Sequence, residues 1–128
     1  MASRDIAALR PGTQAKALDF LKRCQSAGID VVVTCTLRSA SDQAALYAKG
    51  RTAPGPKVTN ARPGTSLHET GRAFDVVPMR AGKPVWGTTG LDLALWQKVG
   101  DCGEQAGLVW GGNWSAQFRD YPHFQDGD

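Results

Sequence analysis

The order of predicted elements points to an α+β domain with a small, mainly antiparallel sheet flanked by helices. Helical and strand-like segments follow one another without regular βαβ alternation, which argues against a parallel doubly wound sheet. A short β-branched run, Val31-Val32-Val33, reads as a buried strand. The length of 128 residues suits one domain, and a chain of this size buries roughly two-thirds of the surface its unfolded form exposes, so it needs no disulfide staples. No repeat, linker or low-complexity tract interrupts residues 1–128, which are expected to form a single domain.

In residues 13–27 the apolar positions Ala17, Phe20, Leu21, Cys24 and Ala27 have the spacing of a helix with one buried face, and Gly28 supplies its stop. Residues 29–36 follow as a strand. Ser39 followed by Asp42 fits a capping box, so a short helix is predicted to run to about Lys49 and end at Gly50. Residues 50–66 contain Pro54, Gly55, Pro56, Pro63 and Gly64 and read as a long loop, a length that usually signals function. Residues 73–77 form a second strand, Ala81-Gly82-Lys83 a turn, and residues 84–86 a short strand. A third helix is expected over 91–106, with Leu95, Trp96, Val99, Cys102 and Ala106 on one side, and strands over 108–110 and 121–125.

Composition removes several classes of function. No apolar run approaches the roughly 20 residues of a membrane helix, and the first residues lead into no signal-like stretch, so a soluble, unexported product is expected. Cys24, Cys35 and Cys102 are widely spaced, form no C-x-x-C pair and read as reduced core residues. The net charge of +3 arises from scattered residues, with no basic and aromatic stripe, so no nucleic-acid partner is expected. Such a charge does favour encounter with an anionic surface such as a bacterial wall.

With only two histidines in the chain, a metal site with three protein ligands must include a carboxylate or a thiolate. Ser66-Leu67-His68-Glu69-Thr70-Gly71-Arg72-Ala73-Phe74-Asp75 places a histidine and an aspartate on either side of a glycine turn, and Asp120-Tyr121-Pro122-His123 supplies the second histidine. His68, Asp75 and His123 thus form a candidate two-nitrogen, one-oxygen set. Zinc suits it, and three ligands leave a fourth position for water, the arrangement of a catalytic rather than a structural site. Amide hydrolysis is the natural reaction class. The base must be a residue other than the ligands. Asp120 is preferred for its nearness to His123 and Glu69 is the rival, while a helical H-E-x-x-H site is excluded because position 72 is Arg72. Arg38, just after the first strand, suits an oxyanion or carboxylate contact. Structural readings stand beside these: bonded core or surface imidazoles, Asp75 and Asp120 in turns, a solvated Arg38, and Trp110 in the core.

The motif Ser66-x-His68-x-x-Gly71-x-Ala73-x-Asp75, with Asp120-x-x-His123, resembles the zinc peptidases of the D-alanyl-D-alanine carboxypeptidase type. Arg38-Ser39, Gln43, Leu46-Tyr47, Gly50-Arg51-Thr52 and Trp110-Gly111-Gly112-Asn113-Trp114 extend the likeness, which is greatest to the L-alanyl-D-glutamate peptidases of bacteriophage endolysins. The resemblance implies the fold shared by these peptidases and hedgehog-type domains. It implies one zinc on His68, Asp75 and His123, Asp120 as base and acid, Arg38 at the substrate carbonyl, and Ser66, Gln43 and Trp110 along the cleft. Thr36-Leu37 stands where relatives often carry a glycine-aromatic pair, and Asp120 where many carry glutamate.

The expected function is therefore a peptidoglycan peptidase cutting the stem peptide between L-alanine and D-glutamate. The expected enzyme is a monomer held in the host cytoplasm until another protein opens the membrane to the wall. The alternatives are a D,D-carboxypeptidase releasing terminal D-alanine and a non-catalytic wall-binding module that keeps zinc for structure.

Overall fold

The computed structural model describes residues 3–57, 59 and 67–127. Helix α1 spans Pro11–Ser26, two residues earlier than the periodicity predicts, because Pro11 at its first turn needs no amide partner and is already set at a helical φ. Gly28, at φ +74°, reverses the chain beyond it, and the Ile29 amide donates back to the Cys24 carbonyl at 2.9 Å. Strand β1, Asp30–Cys35, follows, then helix α2, Ala40–Ala48, capped by Ser39, whose Oγ accepts the Asp42 amide as the capping box predicts. Helix α3, Gly90–Gln105, is the third.

All strand pairs among the described residues are antiparallel. The sheet runs in the order β1, β2 (Ala73–Arg80), β5 (His123–Gln125), β4 (Val109–Trp110), and β3 (Lys83–Pro84) forms a hairpin with β2. β2 extends beyond the predicted Val77 because Pro78, although it lacks an amide donor, still offers its carbonyl to Val85 at 2.9 Å. β3 is shorter than predicted, and Trp86 beyond it is exposed. Residues 121 and 122 form a turn instead of the start of β5.

Helices α1 and α3 pack on each other and on one face of the sheet. Phe20 of α1, Phe74 of β2 and Phe124 of β5 meet there, fully buried, with the Phe20 and Phe124 ring centroids 4.7 Å apart. Trp96 and Val99 of α3 and Trp110 of β4 complete the core. Gly100 and Gly103 on α3 let this happen. A Cβ at either would lie 2.3 Å from the Trp110 or Phe124 ring, respectively. The cysteines are free and buried, and burial, then Cys102, pushes the Cys24 thiol up to about 12. Among the described residues no helix is long and apolar enough to cross a membrane.

Candidate active site

Strand alternation sends neighbouring residues to opposite faces, so Phe74 and Phe124 enter the core while Asp75 and His123 face away from it. Register does the rest: β2 and β5 pair Phe74 with Phe124 and Asp75 with His123. Directly opposed side chains stand about 5 Å apart at Cβ, near enough for an imidazole and a carboxylate to bind one cation. On the other side of Asp75 the β1 pairing shifts between Val33 and Cys35, an irregularity that places Cys35 opposite Asp75. Such bulges often re-aim side chains beside active sites.

His68 arrives from a different element, a 3-10 turn at Leu67–Thr70 that Gly71, at φ +73°, joins to β2. Its ring is buried, with Nε2 3.2 Å from Asp75 Oδ1, and His123 Nδ1 lies 3.5 Å from the same oxygen. One ligand atom from each of the three residues lies within 4.8 Å of the others. Neither short contact has hydrogen-bond geometry: Asp75 Oδ1 is buried with no hydrogen-bond partner among the described residues. Two of the separations, 3.2 and 3.5 Å, are close to the edge of about 3.3–3.5 Å expected for a tetrahedron with zinc-ligand bonds of about 2.0–2.1 Å. The residues present therefore fit a divalent cation.

The surrounding charges are ordered by the same carboxylate. Burial alone would raise the Asp75 pKa, but the closeness and positive charge of His123 and His68 outweigh it and hold the carboxyl well below the usual range. Burial likewise opposes protonation of His68, yet Asp75 and the Cys35 thiol raise its pKa to about 9. Arg38 sits with Nη2 3.8 Å from Asp75 Oδ2 and 3.5 Å from Cys35 Sγ, and Nη1 donates to Gln43 Oε1 at 2.7 Å. Its backbone is tied to the site as well, because the Arg38 amide donates to the His68 carbonyl at 3.0 Å.

Asp120 stands at the rim, where its amide donates to the Gly111 carbonyl and its carbonyl accepts from the His123 amide, at 3.0 and 3.2 Å. Gly111 is required for this approach, since a Cβ there would lie 2.3 Å from the Asp120 carbonyl oxygen. Desolvation in the cleft, then the negative charge of Asp75, raises the Asp120 pKa against the opposing pull of His123, His68 and Arg38. Glu69 has no ligand atom in the His68, Asp75 and His123 group.

Two of the residues expected along the cleft, Gln43 and Trp110, are buried. Gln43 is fully buried, where it supports Arg38 and donates to Thr59 Oγ1 at 3.3 Å. Trp110 is 5% exposed and donates Nε1 to the Tyr121 carbonyl, which makes it a prop beneath the 111–121 loop. Ser66 lies outside the described residues. Sequence reasoning missed Cys35, Thr36 and Gln125, whose atoms touch the imidazoles: His68 Nδ1 lies 3.8 Å from Cys35 Sγ and 3.3 Å from the Thr36 carbonyl, and His123 Nε2 lies 2.8 Å from Gln125 Oε1. The strand period was a usable signal for Gln125, two residues beyond His123 on one face.

These features describe an α+β domain with a His-Asp-His group able to hold a cation, on the sheet face opposite α1 and α3. The chain belongs to the D-alanyl-D-alanine carboxypeptidase family, whose model matches residues 59–126. It is 38% identical over 103 residues to the peptidoglycan L-alanyl-D-glutamate endopeptidase CwlK of Bacillus subtilis (strain 168), covering 77% of this chain and 61% of that protein. It is 34% identical over 118 residues to the L-alanyl-D-glutamate peptidase of Listeria phage A118, covering 91% of this chain and 37% of that one. The chain thus spans less than two-thirds of these curated relatives. The crystal structure of the Serratia marcescens L-Ala D-Glu endopeptidase ChiX shares the fold at a TM-score of 0.74 and 23% identity, covering 99% of this chain and 89% of that one. The expected α+β peptidase-like fold is the one observed.

Proposed function

We propose that this chain is a zinc-dependent peptidase that hydrolyses the stem peptide of bacterial peptidoglycan between L-alanine and D-glutamate. The observation that carries this reading is the gathering of ligand atoms of His68, Asp75 and His123 within 4.8 Å of one another, with Asp75 Oδ1 unbonded between the imidazoles and the Asp120 carboxyl and Arg38 guanidinium beside it. Two imidazoles and one carboxylate suit zinc, and the chemistry a bound zinc supplies is Lewis acidity towards a carbonyl oxygen and a water molecule.

The chain's own residues divide the remaining work. Asp120 accepts a proton from the attacking water and returns it to the leaving amine, and a pKa above the ordinary aspartate value suits a group that must do both. Arg38, braced by Gln43, keeps a positive charge where the carbonyl oxygen becomes negative. Cys35 and Thr36 hold the back of His68. Ser66 is proposed to line the substrate cleft, by its place in the motif.

The two relatives named as L-alanyl-D-glutamate peptidases support the choice of bond, and the phage protein among them supports a lysis role. In that role a monomer reaches the wall from the host cytoplasm once another protein has opened the membrane. Digestion of purified peptidoglycan followed by labelling of new amino termini tests the reading. Amino-terminal D-glutamate is expected, whereas free D-alanine as sole product would overturn it in favour of a D,D-carboxypeptidase.

A further inference from the structure

His123 can offer either ring nitrogen to a cation, and the group that decides between them lies outside the ligand set. Its Nε2 is 2.8 Å from Gln125 Oε1, and the other end of that amide, Nε2 of Gln125, donates to the Gly127 carbonyl at 2.9 Å. A carbonyl only accepts, so the amide nitrogen must face Gly127 and the amide oxygen must face the ring. An acceptor opposite Nε2 places the ring proton on Nε2. The lone pair is then on Nδ1, the atom 3.5 Å from Asp75 Oδ1 inside the ligand triangle. His68 makes the reverse choice by the same logic, since Nδ1 faces the Thr36 carbonyl and Nε2 faces Asp75. Behind His68 stand a main-chain carbonyl and the Cys35 sulfur; behind His123 Nε2 stands the side-chain oxygen of Gln125.

The carbonyl that orients Gln125 is itself anchored. Asp126 accepts from Thr13 Oγ1 at 3.0 Å and from Lys16 Nζ at 2.6 Å, which pins the tail to α1. Its amide donates to the Arg72 carbonyl and its carbonyl accepts from Arg72 Nη2, both at 2.8 Å. Gly127 adopts φ +87°, and a Cβ there would lie 2.6 Å from Arg72 Nη2, so the path that presents its carbonyl to Gln125 requires glycine.

We infer that Gln125 is a positioning residue of the metal centre: clamped by the Gly127 carbonyl, it holds His123 in the tautomer protonated at Nε2, so that Nδ1 is the ligand atom. The inference rests on the metal-site reading proposed above. Outer partners of this kind typically contribute about 10- to 100-fold to metal affinity.

Long-range proton-nitrogen NMR of the metal-free protein under alkaline conditions reports the tautomer directly. Wild type should show His123 protonated at Nε2, and protonation at Nδ1 would overturn the inference with no variant needed. Gln125→Met, which keeps length but removes the acceptor, should shift His123 towards the Nδ1-protonated form and weaken zinc about 10- to 100-fold in competition with a chromophoric chelator. Gln125→Glu, which keeps an acceptor oxygen, should retain the wild-type tautomer and bind zinc at least as tightly. Unchanged tautomer in Gln125→Met, whether or not zinc weakens, would overturn the inference, because any loss would then come from packing. If wild type takes up no zinc, the metal-site reading fails, while the tautomer of the metal-free protein still decides the role of Gln125.

Discussion

Asp75 is the residue on which the site turns, since it faces both imidazoles, Arg38 and, across the cleft, the charge of Asp120. Without a cation it is stabilised by protonated His68, and this has a defined pH signature. The folded-state pKa of His68 is raised from 6.5 to about 9, so its contribution to stability is fully present below pH 6.5 and lost as pH rises through about 9. The melting temperature of chelator-treated protein should therefore fall between those values, a drop that zinc-loaded protein lacks. Asp75, with its lowered pKa, acts in the other direction: its contribution is present above the ordinary aspartate value and lost on further acidification. Asp120→Asn should keep one zinc per chain by metal analysis and lower kcat/KM about 10²- to 10⁴-fold, because it removes only the proton carrier. Wall lysis at the wild-type rate by that variant would favour the non-catalytic wall-binding module.

At the scale of elements, the site depends on how closely α3 approaches the sheet. Glycine inside a helix costs about 1 kcal/mol relative to alanine, yet Gly100 and Gly103 leave the space that Trp110 and Phe124 occupy. Gly103→Ala should accordingly destabilise by about 1–3 kcal/mol in denaturant unfolding, despite its better helix propensity, because the added methyl strikes the Phe124 ring. Phe124 adjoins His123 on β5, so the same variant should also weaken zinc binding in chelator competition. The start of α2 matters for a related reason. The Ser39 cap fixes the first turn, from which Gln43 reaches Arg38. Ser39→Ala should cost about 1 kcal/mol of stability and lower activity more than zinc affinity. The cap was readable from spacing; the destination of Gln43 was not, because it depends on where Arg38, just beyond β1, and Thr59 lie.

For the whole molecule, the division between the two faces of the sheet separates stability from chemistry. The aromatic core between the sheet and helices α1 and α3 contains none of the candidate ligands. Removing metal by chelation should therefore abolish peptidoglycan hydrolysis while leaving the far-ultraviolet circular dichroism spectrum unchanged. Phe20→Ala, in contrast, should cost about 3–5 kcal/mol, since it opens a cavity against Phe74 and Phe124. The carboxyl-terminal tail couples the halves: Asp126 joins α1 through Thr13 and Lys16, and the next residue holds the amide behind His123.

The α+β class, the three helices, the capping box and the candidate ligands were legible in the residues alone, because helix period, β-branched runs and a scarcity of histidine are local or compositional facts. The sequence also narrowed the base to Asp120 or Glu69. The pairing of Asp75 with His123, the burial of Gln43 and Trp110, and the contacts of Cys35 and Thr36 with His68 came only with the folded chain. Those depend on register, on a shift in one strand pair and on the closeness of α3, all set by packing between segments far apart in the chain. Spacing can nominate two histidines and an aspartate, but which nitrogen of each ring would face a cation depends on what stands behind it.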